Sequence, residues 1–250
     1  MTHLAKLVVL VALAALTAAC GDDGSGGSSD QGPDTASSPS PAEEVATDVA
    51  GCAPDSAAVK GARQVAEADV NGDGTTEEVR LTGAGAECSG VLFAEVGEGF
   101  VWGKIPPGTP PLRTAFGVRL GEGSDLLVTR QEHPRGGFQV RVFARSGEEL
   151  VELEREGGES LVPFVATDVL EHPVSIDCDR GALVVTEAVA HDPAGVRAAW
   201  DVRLTAYEVV DGEARARRTV ELAENVGDAQ LETLHPELGG HRMFASCGKR

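Results

Sequence analysis

The 250 residues carry 40 acidic against 21 basic side chains, a formal charge of −19. Phosphate contacts need lysine and arginine surfaces, so this balance excludes a nucleic-acid partner. It suits solubility and cation binding and leaves the fold open.

Lys6 and the apolar run Leu7 to Leu16 open the chain, and Thr17, Ala18 and Ala19 precede Cys20. A short basic start, an apolar centre and a small-residue end make a secretory signal. The run falls well short of the about 20 apolar residues needed to span a bilayer, so no retained transmembrane helix is expected. The segment Leu16-Thr17-Ala18-Ala19-Cys20 resembles the lipobox of bacterial lipoproteins. That resemblance implies a thioether-linked lipid, with palmitate-type acyl chains, on Cys20 as the first mature residue. The protein would then sit on the extracytoplasmic side of the cell membrane, since two or three acyl chains anchor far more durably than one.

Residues 21 to 42 have no aliphatic side chain larger than Ala and no aromatic one. Such a segment buries too little apolar surface to offset its ordering entropy, and a disordered Gly/Ser/Pro/Asp tether is expected. Three parts follow: a signal peptide over 1–19, the lipidated Cys and tether over 20–45, and an extracytoplasmic domain over 46–250.

Early in that domain, Ala68 to Val79 reads ADVNGDGTTEEV. Counted from Asp69 as the first position, Asn71 is third, Asp73 fifth, Gly74 sixth, Thr75 seventh and Glu77 ninth. Side-chain oxygens at the first, third and fifth positions, a carbonyl at the seventh and a glycine at the sharp turn suit a hard cation. An EF-hand is excluded: its twelfth position requires Glu and holds Arg80, and strand-like Val79-Arg80-Leu81 follows where an exiting helix belongs. The stretch resembles the calcium loop of FG-GAP and VCBS repeats, modules of bacterial surface proteins and integrin-type propellers. The resemblance implies a structural Ca2+ held by Asp69, Asn71, Asp73 and Glu77 with the Thr75 carbonyl. The competing reading is an ion-free turn built on Asn71-Gly72 and Asp73-Gly74.

Short alternating runs continue downstream, divided by Gly, Pro, Asp and Ser. Gly90 to Ile105 reads as a hairpin turning at Gly97–Gly99. Leu126–Gln131, Phe138–Arg145 and Glu149–Glu156 read as a meander. In its middle run Phe138, Val140, Val142 and Ala144 alternate with Gln139, Arg141, Phe143 and Arg145, one face apolar. Val174–Cys178, Leu183–Val189, Trp200–Val210 and Thr219–Ala223 extend the pattern. Only Asp228 to His235 reads as helix, with Asp228 as N-cap, Leu231 and Leu234 on one face, and Pro236 as the stop. Gly72-Asp73-Gly74-Thr75 is echoed about fifty residues later by Gly121-Glu122-Gly123-Ser124, and more loosely by Asp177 to Gly181. The expected fold is therefore all-β and antiparallel, either propeller-like with FG-GAP/VCBS-like blades or a β-sandwich.

Beyond Cys20, the cysteines are Cys52, Cys88, Cys178 and Cys247. An even number in an exported domain reads as two disulfides, and Cys52–Cys88 with Cys178–Cys247 would staple each half. No G-x-S-x-G, H-E-x-x-H or P-loop is present, and His133, His172 and His235 directly precede Pro, as turn residues do. Trp102, Trp200 and Tyr207 are the aromatic candidates for a sugar or peptide site. Trp200 and Tyr207 fall on opposite faces of one strand run, so at least one belongs to a core. The reading that results is a non-catalytic, calcium-stabilised lipoprotein with an envelope protein or glycan as ligand. The alternatives are an envelope hydrolase and a transporter's solute-binding lipoprotein, the second disfavoured by the missing helices.

Overall fold

The computed structural model describes residues 45–83, 88–107, 111–134, 136–162, 173–191, 199–239 and 242–249. Cys20, the signal and the tether up to residue 44 lie outside the described residues, as do His172 and His241.

A one-turn helix α1 (Ala57–Lys60), capped by Ser56, precedes a first antiparallel meander. Its strands are β1 (Arg63–Ala68), β2 (Glu77–Leu81), β3 (Val91–Val96) and β4 (Gly99–Lys104). A second meander repeats the plan with β5 (Leu112–Arg119), β6 (Leu126–Glu132), β7 (Phe138–Ser146) and β8 (Glu149–Glu152). A minor hairpin, β9 (Glu154–Arg155) and β10 (Glu159–Ser160), follows. The third meander is β11 (Val174–Asp179), β12 (Ala182–Ala190), β13 (Ala199–Val210) and β14 (Glu213–Gly227). Helix α2 (Asp228–Leu234), a 3-10 turn (Pro236–Gly239) and β15 (Gly248–Lys249) end the described chain. The chain is thus all-β, as its alternating pattern requires, and almost wholly antiparallel.

The first two meanders form one sheet in the order β1-β2-β3-β4-β8-β7-β6-β5-β15. The single parallel link is Trp102 to Glu149, between β4 and β8. The sheet curls until β1 returns against β5 and the eight strands nearly close. Both seams are backbone-tight and depend on glycine: a Cβ on Gly103 would lie 2.2 Å from the Leu150 carbonyl, and one on Gly117 2.9 Å from the Glu67 carbonyl. Ala66, Ala68, Val79, Leu92, Ala94, Val101, Leu127, Phe143 and Leu150 fill the interior.

The third meander packs on the outer face of the second, joining Val128, Val140 and Val142 to Ile176, Leu183, Val185 and Tyr207. The middle meander is therefore buried on both faces, which corrects the expectation of one apolar face in β7. Phe143, grouped with the polar side by alternation, is 1% exposed inside the closed sheet. Two further clusters cover the ends of the stack. Val49, Cys52 and Val59 lie over Phe93 and Phe100 at one end. At the other, Leu231 and Leu238 lie over Trp200 and Val202. Disulfides join Cys52 to Cys88 and Cys178 to Cys247, with Cα separations of 6.4 and 5.0 Å.

Helix α2 departs from expectation in two details. Gly227 is its N-cap; Asp228 sits in the first turn and accepts a 2.7 Å hydrogen bond from the Trp200 indole. Leu231 is buried, but Leu234 is 62% exposed, because a two-turn helix presents only one position to the sheet beneath it. Trp200 and Tyr207 are both largely buried, on opposite faces of β13; Tyr207 still reaches the wall of a cavity beside Arg155 and Glu213.

Candidate metal centre

The stretch from Asp69 to Glu77 forms the turn from β1 to β2. Its shape follows from short polar side chains bonding to nearby backbone amides, the local alternative to extended structure. Asp69 is fully buried; its Oδ1 accepts from the Gly72 amide at 2.7 Å and its Oδ2 from the Gly74 amide at 2.9 Å. Asn71 Oδ1 accepts from the Asp73 amide at 2.9 Å, and Asp73 Oδ1 from the Thr75 amide at 2.6 Å. Asn71 Nδ2 donates back to Asp73 Oδ2 at 3.0 Å. Glu77 Oε2, at the start of β2, accepts from the Val70 amide at 2.8 Å and closes the loop.

Two pKa shifts describe its electrostatics, and they have opposite signs. The Thr75 amide, then Asn71, holds the Asp73 carboxyl below the usual aspartate value. Burial, and then the negative charges of Asp73 and Asp69, push Glu77 above the usual glutamate value. A raised carboxyl pKa means that protonation favours the fold. Its stabilising share is complete below the unfolded pKa and disappears as pH rises through the folded one. At neutral pH the ionised Glu77 therefore costs stability.

Arg119 carries no local sequence signal. Its Nε donates to Asp125 Oδ1 at 2.6 Å, and its Nη2 is hydrogen-bonded to Asp69 Oδ2. Asp125 Oδ2 in turn accepts from the Asp69 amide at 2.9 Å, and the Asp125 amide donates to the Asp69 carbonyl at 2.7 Å. Both carboxylates have fully buried side chains, whereas Arg119 is 30% exposed. The acidic residue that follows the Gly121–Ser124 echo is this Asp125. That was the one legible signal for the network. The three echoed segments are equivalent: each is the first turn of a meander, and they stack. A Cβ on Gly72 would lie 2.9 Å from the Ser124 amide nitrogen, and one on Gly181 3.4 Å from the Leu120 carbonyl.

The two loop glycines should therefore respond differently to Ala. Gly72 and Gly74 both have positive φ, 82° and 91°, so each substitution costs about 1 kcal/mol of backbone strain. Only Gly72 also meets a neighbouring backbone; Gly74 has nothing within 4 Å. In urea unfolding Gly72→Ala should lose clearly more stability than Gly74→Ala. Equal losses would show that the two turns do not touch.

As a donor set, three carboxylates, an amide and a carbonyl match a hard cation in chemistry. A carboxylate offers about four lone-pair sites, so the amide bonds that shape the loop leave acceptor capacity. Against this, Arg119 already sets a positive charge on Asp69, and among the described residues no three His, Cys, Asp or Glu side chains form a ready-made metal shell. Arg215 and Arg217 pair with Glu213 and Glu208 on an exposed strand face. No helix among the described residues is long and apolar enough to cross a membrane. Against family models, curated proteins and solved structures alike, the chain finds no match.

Proposed function

We propose that the protein is a lipid-anchored extracytoplasmic lipoprotein whose calcium-stabilised β-domain binds an envelope partner without catalysing a reaction. The supporting observation is the loop itself: Asp69, Asn71, Asp73 and Glu77 turn side-chain oxygens onto one short stretch of backbone. Burial first, then repulsion from the charges of Asp73 and Asp69, disfavours ionisation of Glu77. A Ca2+ on Asp69, Asn71, Asp73, Glu77 and the Thr75 carbonyl would offset that repulsion, with water completing the shell. The anchor follows from the Cys20 motif, and the tether would hold the domain away from the membrane.

Thermal melts test the ion. Binding to the folded state alone stabilises by about 2.7 kcal/mol at a hundredfold excess over the dissociation constant, raising Tm by roughly 5–10 °C. Glu77→Gln should raise the midpoint in EDTA, because it removes an unfavourable charge, and should flatten the response to Ca2+. Identical wild-type midpoints in EDTA and excess Ca2+ would reduce the loop to a turn. The anchor is tested by metabolic labelling with palmitate: wild type should incorporate label and Cys20→Ala should not. An unlabelled wild type would remove the anchor from the reading.

A further inference from the structure

The ion loop already holds a cation of the protein's own. Arg119 ends β5, its backbone paired with Gly248 of β15, and its guanidinium spans the buried carboxylates of Asp69 and Asp125. Nε donates to Asp125 Oδ1 at 2.6 Å. Nη2 donates to Asp69 Oδ2, which also accepts from the Gly74 amide at 2.9 Å. Two hydrogen bonds on one carboxylate oxygen occupy both of its lone pairs, and this oxygen belongs to the first residue of the loop. The guanidinium and a Ca2+ therefore draw on the same carboxylate.

Without a metal ion, Arg119 is the counter-charge that lets Asp69 and Asp125 be buried side by side, since an unpaired buried carboxylate is far more costly. A divalent ion on Asp69 would set two positive groups on one carboxylate, and in a partly buried site that repulsion is screened little. Arg119 is the partner able to yield. Its side chain is 30% exposed, whereas both carboxylates are fully buried, and its Nε bond to Asp125 survives when Nη2 leaves Asp69. We propose that Arg119 is an internal competitor for calcium. Its guanidinium neutralises the ion-free loop, gives up Asp69 when Ca2+ binds, and pivots on Asp125 toward solvent. The Ca2+ affinity of the loop is thereby set by a residue 50 positions beyond Asp69. This deepens the calcium reading and rests on it.

Calorimetric Ca2+ titration of the full chain, with thermal melts in EDTA beside it, tests the exchange. Arg119→Gln removes the competitor and should bind Ca2+ at least about tenfold more tightly, the factor that breaking a hydrogen bond between charged groups costs the wild type. Its midpoint in EDTA should fall, so the rise on adding Ca2+ should exceed that of the wild type. A residue that merely braced the loop would act in the opposite direction, its loss weakening Ca2+ binding. Nitrogen-15 NMR of the wild type needs no variant and serves even if Arg119→Gln fails to fold. Saturating Ca2+ should speed hydrogen exchange at the Arg119 Nη protons and leave the Nε proton protected. An Arg119→Gln affinity equal to or below that of the wild type, or Nη signals that saturating Ca2+ leaves unchanged, overturns the proposal. Either result in a wild type that binds Ca2+ sinks the exchange and leaves the ion in place. Binding by Arg119→Gln alone supports the competition, whereas no binding by either protein removes the ion and the exchange together.

Discussion

Replacing Cys178 and Cys247 together by Ala is expected to lower the unfolding free energy by about 4 kcal/mol. The bond spans 69 residues, nearly the whole third meander, and its removal frees that length of unfolded chain. The native side contributes as well. Cys247 is buried in the larger core, and the same C-terminal segment places Phe244 edge-on to Phe116, 5.8 Å between ring centroids. It also pairs β15 with the end of β5 at Arg119 and Val118. Urea unfolding of wild type and double mutant measures the difference. A loss under about 1 kcal/mol would mean that packing and the β5–β15 pairing already fix the C-terminus without the bond.

Asp125→Ala should have the next largest effect, about 2–3 kcal/mol. Most of that loss comes from the Asp69 amide, which would be left buried and without its acceptor. The Asp69 carboxylate would keep its Gly72 and Gly74 amides, and Arg119, with water on its outer side, adjusts at lower cost. Asp125→Asn retains an oxygen for the Asp69 amide and should lose distinctly less. If Asn and Ala destabilise equally, the amide bond is not the source, and the ion pair with Arg119 must be.

Some of this architecture was written into local sequence. The β3–β4 hairpin, β6, β7 and β11 to β13 emerge where β-branched and aromatic residues alternate between turn residues, because there one side chain in two must be buried. Strands β1 (RQVAEA) and β5 (LRTAFGVR) were not legible. The small and charged residues of β1 carry little β-propensity, and it becomes a strand by pairing with β2; β5 does alternate Leu112, Thr114, Phe116 and Val118, but Arg113, Ala115 and Gly117 between them dilute the signal that pairing with β6 completes. The same holds for β14: the pattern marked Thr219–Ala223, whereas pairing with β13 extends the strand over Glu213–Gly227, most of it exposed.

The candidate sites divide in the same way. Ion-loop chemistry depends on residues close in sequence, so Asp69, Asn71, Asp73 and Glu77 could be named from spacing alone. The lipid anchor proposed at Cys20 likewise rests only on its neighbours in sequence. Only the tertiary structure brings Arg119 and Asp125 to Asp69, since that contact requires β1 to return against β5. The face that Phe143 occupies depends on the same closure. Side-chain period two tells which residues share a face of a strand; it carries no information on whether a second layer covers the other face, or which strands meet when the sheet curls.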